Sequence, residues 1–482
     1  MGSMRESSEP RIVIVGAGPC GLGAAWRLAE LGHTNWTLLE SAPAPGGLAA
    51  SVLDPQGFTW DLGGHVLFSH YDYFDRLMDD LLGTEWVYHV REAWIRMRDR
   101  FVPYPLQNNI WQLPSSDLIA CLEGLIDVLA TRGPVDPAWN FEQWIRHQFG
   151  EGLARVFLLP YNEKVWAYPP SQLASSWVGE RVATVDLKRI LRNWAEQRQD
   201  VTWGPNNRFR FPLRGGTGAI WQALWRRLPA GKGFLQRGVT SIDTSRREVR
   251  TTDGVTLCYD YLVSTMPIDR LLRMADDSGL GARDAGRLVY SSTHLVGIGV
   301  RGTIPSELSQ KCWMYFPEPH VPFYRATVFS NYSPNNVPDA LQFWSLMCEV
   351  SESPSRPVEA GTLVRDVLTA CHREHLVPAD AEIATIWTTR LEHGYPTPFV
   401  GRDAVLEEAN GRLQAVGIFS RGRFGAWKYE VSNQDHALMQ GVEVVDSLLA
   451  GSDEITLRHP DLVNSQRQRG RAGSATIQDT PR

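Results

Sequence analysis

Three glycines stand at fixed steps behind a short apolar run, Gly16-x-Gly18-x-x-Gly21 after Ile12–Val15, and a carboxylate, Glu40, follows nineteen residues past the last of them. These residue types at this spacing suit a dinucleotide. Gly16 permits a tight turn, Gly18 lets a pyrophosphate approach the backbone, and Gly21 lets the following helix pack against its strand. The helix start then offers free N–H groups and partial positive charge to the phosphates. Glu40, closing the next apolar run Trp36–Leu39, can accept hydrogen bonds from ribose hydroxyls.

The elements that must position these residues can be followed along the chain. Strand, glycine turn, helix and second strand form one βαβ unit, followed by Gly46-Gly47-Leu48-Ala49 and Gly63-Gly64-His65, where the backbone can approach a bulky flat ligand. Tyr71–Leu82 reads as an amphipathic helix, and Val87–Val102 as strands. From about Ser116 to Arg198 the period is helical. One stripe runs Leu118, Leu122, Leu125, Ile126 and Leu129; a second runs Phe141, Trp144, Ile145 and Phe149 and stops near Gly150; a third begins at Leu153 and breaks at Pro160; a fourth runs Leu187, Ile190, Leu191 and Trp194. Gly215-Gly216-Thr217-Gly218 opens a further helix, and Asp253-Gly254 marks a hairpin between short strands. Tyr290–Val350 is strand-rich and suits an antiparallel sheet. Leu413–Phe419 reads as a strand and Asp435–Leu449 as a helix, a second βα unit far from the first.

The fold class expected is α/β: a discontinuous FAD-binding, Rossmann-like domain (4–90, 204–289 and 405–464), an inserted helical domain (106–203), an antiparallel β-sheet domain (91–105 and 290–404), and a disordered polar tail (465–482). The first residues, Met1-Gly2-Ser3, read as an addition ahead of Met4, and Arg11–Gly21 reads as nucleotide strand and loop rather than as a signal peptide.

Composition sets outer bounds. A length of 482 residues allows two or three domains, and the net charge of −6 argues against a nucleic-acid-binding surface spread over the whole protein. No apolar run reaches the roughly 18 residues of a membrane span. The six cysteines show no ligand spacing, so neither a metal site nor a disulfide frame is expected, and reduced thiols suit a cytoplasmic protein. Cys20, inside the glycine turn, reads first as a small residue.

The first motif alone does not separate FAD from NAD. The Gly46-Gly47-Leu48-Ala49 turn, the Gly215–Gly218 turn and the late strand–helix unit favour FAD, because a long cofactor needs several separate segments to hold it. The helix start at Asn433-Gln434-Asp435 would serve a flavin carbonyl well.

Longer segments carry a family resemblance. GGHVLFSHYDYFD (Gly63–Asp75), VPYPLQNNI (Val102–Ile110), PYNEKVWAYP (Pro160–Pro169), WVGERVA (Trp177–Ala183), GPNNRFRFPLRGGTGAIW (Gly204–Trp221), KCWMYFPE (Lys311–Glu318), PFYRATVFSNYSP (Pro322–Pro334), HGYPTP (His393–Pro398) and SRGRFGAWKYEVSNQDH (Ser420–His436) occur in order over most of the chain. Together they resemble the UDP-galactopyranose mutases of the branch typified by fungal and protozoan enzymes. The resemblance implies an isomerase interconverting UDP-galactopyranose and UDP-galactofuranose, or a closely related nucleotide-sugar pair. Reduced flavin N5 would attack the anomeric carbon, with UDP lost and returned. It also implies NADPH as reductant and allows a homo-oligomer; between Tyr332 and Trp344 this chain lacks an insertion of the fungal members.

On that resemblance Arg181 and Arg325 clamp the pyrophosphate, with Tyr395 and Tyr429 as hydroxyl donors. His65 matches a position that responds to flavin redox state. Tyr104 and Gln107 match the uracil pocket, with Tyr315 or Trp313 beside it. Asn162, Trp166, Asn206, Tyr332 and Asn433 match further substrate positions. Gly16, Gly18, Gly21, Glu40, Gly47, Leu48, Gly64, Arg91, Gly422, Arg423, Asn433 and Gln434 would hold the cofactor. An amine-oxidase-like or desaturase-like FAD oxidoreductase, built on the same cofactor domain, is the alternative reading; a nucleotide-sensing module without activity is a third.

Overall fold

A computed structural model of the chain describes residues 9–131, 133–201, 207–275, 280–465 and 467. Asn206, Met1–Met4 and nearly all of the tail expected from 465 onward lie outside them. Ser465 itself ends a short helix, Pro460–Ser465.

Two sheets form the frame. The first is parallel and five-stranded, in the order Ile418–Ser420, Tyr261–Ser264, Ile12–Val15, Trp36–Leu39 and Gly233–Phe234. Its strands come from three distant stretches of sequence. The central strand Ile-Val-Ile-Val is buried on both faces, as a parallel strand covered by helices must be. One covering layer is the helix Pro19–Glu30 packed along Gln434–Ala450. The two approach at backbone distance: a Cβ on Gly441 would sit 1.9 Å from the Cys20 carbonyl oxygen, and one on Gly23 would sit 2.4 Å from that of Leu438.

The second sheet has seven strands, in the order Ile383–Pro396, Tyr290–Arg301, Phe343–Glu352, Arg325–Val328, Trp313–Tyr315, Ala93–Met97 and Arg100–Pro103. It departs from the purely antiparallel sheet expected, because Trp313–Tyr315 runs parallel to Ala93–Met97. That pairing joins the strands near residue 95 to the strand-rich half of the chain.

Helices Ser115–Thr131, Phe141–Leu153, Leu159–Trp166 and Leu187–Glu196 pack beside this sheet around Phe141, Ile145, Phe149 and Trp166. Pro160 does not break the third stripe. It sits in the first turn of Leu159–Trp166, directly after a π-turn at Ala154–Leu158, where a missing N–H is tolerated. Gly150 kinks the preceding helix with a φ of 72°.

The strand expected at Leu413–Phe419 is also corrected. A helix spans Arg402–Ala415, and the strand covers only Ile418–Ser420. Val405, Leu406, Ala409 and Leu413 are the buried apolar residues of the helix, a helical spacing that a window opened at Leu413 cannot register.

Glu443 is buried in the Gln434–Ala450 helix, where its oxygens accept from the Thr456 N–H and hydroxyl, both at 2.8 Å. Burial chiefly, with Glu454 and Asp446 nearby, pushes its pKa from the usual 4.5 to about 8. A carboxyl raised in the folded state binds its proton more tightly there than in the unfolded chain. Its contribution to stability is therefore complete below 4.5 and lost as pH rises toward 8. Thermal melting followed from about pH 5 to about pH 8 is expected to show a fall in melting temperature that Glu443→Gln flattens.

Candidate active site

The carboxyl ends of the parallel strands open into a cleft of about 900 Å³, whose opposite wall is the seven-stranded sheet. Gly16, Gly18, Glu40, Gly47, Leu48 and Gly422 line it on the parallel-sheet side. Gly64, His65, Arg181, Trp313, Arg325, Tyr395, Arg423, Tyr429, Asn433 and Gln434 also line it. One cavity thus joins the glycine turn to the arginines and tyrosines read from the sequence.

The glycine turn has the form its spacing requires. Gly16 has a φ of +99°, and a Cβ there would lie 2.2 Å from Thr265 Oγ1. A Cβ on Gly21 would lie 1.8 Å from the Gly16 carbonyl oxygen, so the helix can start only if this position is glycine. Gly18 meets nothing closer than 3.9 Å, which leaves the backbone open toward the cleft for a pyrophosphate. Glu40 is partly committed: Oε2 accepts from Ala17 N–H at 2.6 Å and Oε1 from Ala42 N–H at 2.8 Å. These bonds fix the carboxylate at the edge of the cleft, with lone pairs left for hydroxyl groups.

At the other helix start, Asn433 is the N-cap of Gln434–Ala450, and its side chain makes no cap bond. Gln434 Oε1 accepts from Trp221 Nε1 at 3.0 Å, so its amide is turned toward the helix Gly218–Arg227. Asp435 Oδ2 accepts from the His70 N–H at 3.0 Å and bonds His70 Nδ1 at 2.7 Å. His70, Asp435 and His436, all buried, bring three potential ligand atoms within 4.8 Å of one another, and His70 and Asp435 are hydrogen-bonded to each other.

Of the six arginines that line the cleft, Arg181, Arg325 and Arg423 stand nearest Tyr395 and Tyr429. Arg181 lies 4.7 Å over the Tyr429 ring and donates from Nη2 to the Glu430 carbonyl at 2.9 Å. Arg423 lies 5.1 Å from the Tyr395 ring centre and donates to Ser432 Oγ and the Gly394 carbonyl. Burial lowers the pKa of Arg423. Among the described residues no carboxylate pairs with either. Arg325 differs: Glu349 grips it from Nε at 2.7 Å and Nη2 at 2.8 Å. Tyr395 and Tyr429 lie 5.9 Å apart, and Trp166 sets its edge against both, at 5.7 and 4.8 Å.

The structure sorts the remaining sequence candidates. Trp166 does not line the cleft; it backs the two tyrosines from beneath. Tyr104, Tyr315 and Gln107 are not among the residues lining the cleft; the two tyrosine rings lie 5.3 Å apart and tilted, with the Arg91 guanidinium 5.5 Å over Tyr104. Arg91 is therefore a neighbour of Tyr104 and not part of the cleft lining. Gln107 is buried; Nε2 donates to the Ala183 carbonyl, while Oε1 has no partner among the described residues. Asn162 donates to the Leu158 carbonyl within its own helix. Tyr332 is fully buried among Phe209, Phe211, Trp313 and Phe329 and is not among the residues lining this cleft. Cys20 is buried beneath the turn, and burial pushes its thiol pKa up, which removes thiolate reactivity there.

Sequence reading missed Glu349, Tyr324 and the His70–Asp435 bond. A signal existed for the first, since Glu349 is the one charge inside the apolar run Phe343–Val350.

A parallel sheet closed by a glycine turn, with a long cleft running to a second sheet, defines a dinucleotide-binding protein. Residues 19–436 match the flavin containing amine oxidoreductase family. A crystal structure of reduced UDP-galactopyranose mutase superposes with a TM-score of 0.93 and 50% identity, covering 96% of this chain and 98% of that one. A putative protoporphyrinogen oxidase from Exiguobacterium sp. 255-15 shares the fold at a TM-score of 0.69 and 17% identity, covering 92% of this chain and 99% of that one. Among curated proteins, the 15-cis-phytoene desaturase of Glycine max is 40% identical over 83 residues, which is 16% of this chain and only 14% of that protein's length. The chain belongs to the flavin containing amine oxidoreductase family and, within it, to the UDP-galactopyranose mutases. FAD is accordingly the dinucleotide of the glycine turn, and the open approach at Gly18 with the uncapped helix start at Asn433 fits it.

Burial, reinforced by Arg423 and Arg325 and opposed by Glu349, lowers the His65 pKa to about 4. Burial also lowers that of His436 to about 3. Both rings are neutral in the folded protein at ordinary pH. Carbon-13 spectra of the flavin-loaded protein labelled at histidine are expected to show both imidazole signals unmoved from about pH 5.5 to about pH 8.5.

Proposed function

We propose that this protein is a flavin-dependent isomerase that interconverts UDP-galactopyranose and UDP-galactofuranose. The observation that carries the reading is the convergence of Arg181, Arg325, Tyr395 and Tyr429 on one cleft with the FAD-binding glycine turn. Its support is the half-identical, nearly full-length likeness to a UDP-galactopyranose mutase.

Expelling a nucleoside diphosphate concentrates negative charge on its oxygens. Guanidinium groups held in a desolvated cleft stabilise that charge far better than water does, because they need not reorganise as it develops. Arg181 and Arg325 take this role, and the hydroxyls of Tyr395 and Tyr429 donate to the same oxygens. Trp166, wedged beneath both tyrosines, keeps those hydroxyls from turning away. Gln107 Oε1, a buried acceptor with no partner among the described residues, suits the imide N–H of uracil, and the Tyr104–Tyr315 pair offers ring faces to the base. When bound, reduced FAD supplies a nucleophilic nitrogen for the anomeric carbon, and UDP departs and returns without net oxidation. NADPH is the proposed source of its electrons, and Arg423, a buried cation in the cleft, favours the anionic reduced form. Free cysteines throughout suit a cytoplasmic setting.

An amine oxidase on the same scaffold would have to bring a cationic substrate beside three guanidinium groups, so the charge of this cleft disfavours it. Anaerobic, dithionite-reduced protein is expected to convert UDP-galactofuranose to UDP-galactopyranose, read by chromatography, and NADPH is expected to bleach the yellow flavin band. Arg181→Ala should retain flavin and lose about 100- to 1000-fold in turnover. Peroxide release from an amine, with no sugar conversion, would replace this reading with the oxidase.

A further inference from the structure

The strand Phe343–Glu352 carries a single charge within its buried stretch, Glu349, whose exposure is 2%. It lies directly across the strand pair from Arg325. Its two oxygens receive four donors. Oε1 accepts from Arg325 Nε at 2.7 Å and from the Gly64 N–H at 3.1 Å. Oε2 accepts from Arg325 Nη2 at 2.8 Å and from the Tyr324 hydroxyl at 2.7 Å.

A buried carboxylate is tolerated only when its lone pairs are this fully used, and removing it strands every donor. The fork geometry fixes the plane of the Arg325 guanidinium, and it consumes Nε and Nη2 while Arg325 still lines the cleft. The Gly64 N–H belongs to the turn that carries His65. That turn is packed so closely that a Cβ on Gly64 would lie 2.9 Å from Thr327 Oγ1 and 3.2 Å from both Glu349 Oε1 and Trp313 Nε1. One carboxylate oxygen therefore joins two parts of the cleft that the chain keeps far apart: the arginine proposed to meet the diphosphate, and the turn bearing His65.

We propose that Glu349 is a positioning residue that couples the Arg325 guanidinium to the Gly63–His65 turn, so that a diphosphate bound at Arg325 is felt at His65. The proposal rests on the functional reading above only for the identity of the ligand. A diphosphate that draws on Arg325 shifts the guanidinium plane; Glu349 is held to that plane by two bonds, and its third bond moves the Gly64 amide. Hydrogen-bond networks in a low-dielectric interior transmit such displacements because each bond polarises and orients the next.

The test uses the flavin-loaded protein, labelled with carbon-13 at the histidine ring and titrated with UDP or with uridine. The His65 signal is assigned by its loss in His65→Gln. In the wild type, UDP is expected to move the His65 signal and uridine to leave it in place. In Glu349→Gln, UDP should still bind, the His65 signal should no longer move, and turnover should fall about 100-fold while KM changes by no more than a few-fold. Glu349→Asp, which keeps the charge but withdraws it by one carbon, should lose the response as well. A His65 response that persists in Glu349→Gln, or is missing from the wild type, overturns the proposal. If Glu349→Gln loses its flavin, Glu349→Asp carries the same comparison, and loss of flavin from both makes the carboxylate purely structural and overturns it too. A wild type that shows the UDP response but converts no UDP-galactofuranose refutes the proposed function and leaves this coupling standing.

Discussion

Arg181, Arg325 and Arg423 meet in one cleft beside Tyr395 and Tyr429, and holding these guanidinium groups there without cancelling their charge is the constraint that organises the site. A buried cation is tolerated only with donor-matched partners, yet a carboxylate on each would leave nothing to attract an anion. The molecule divides the task. Arg325 receives a full counter-charge from Glu349, whereas Arg181 and Arg423 are held by carbonyl and hydroxyl oxygens and by the faces of Tyr429 and Tyr395. Net positive charge survives because aromatic faces and backbone dipoles stabilise a cation without neutralising it.

The aromatic layer beneath follows from the same need. Trp166 packs edge-on against Trp177, Tyr395 and Tyr429, so the two tyrosines that support the arginines are supported in turn by a buried indole. The helical layer supplies Trp166 and lies close to Arg181; the seven-stranded sheet supplies Arg325 and Tyr395; the segment after the last parallel strand supplies Arg423 and Tyr429. The cleft exists only where these three meet.

How much of this could be read from the sequence depended on whether the feature was local. The glycine turn was legible because strand, turn and helix are contiguous and each glycine answers a short-range steric demand, as the 1.8 Å approach at Gly21 demonstrates. The same locality made the Gln434–Ala450 helix and the Asp253-Gly254 turn visible. Leu413 misled because its helical partners Val405, Leu406 and Ala409 lie upstream, and Pro160 misled because a π-turn absorbs its missing donor. The burial of Tyr332 was not legible, because its neighbours Phe209 and Phe211 come from far along the chain. Glu349 was overlooked for the mirror-image reason: its worth lies in four partners from Gly64, Tyr324 and Arg325, which sequence spacing does not bring together.

The pairing of Pro19–Glu30 with Gln434–Ala450, and of Tyr261–Ser264 with Ile418–Ser420, has a bearing on how the protein is made. The glycine turn leaves the ribosome about four hundred residues before the helix start facing it and the strand at the edge of its sheet. Until then the nascent cradle stands open on one side, its apolar flank awaiting a partner that has not been synthesised. A complete cradle for the yellow prosthetic group thus waits on that late segment, and a chain truncated before residue 418 would lack Gly422, Arg423, Asn433 and Gln434 of its lining.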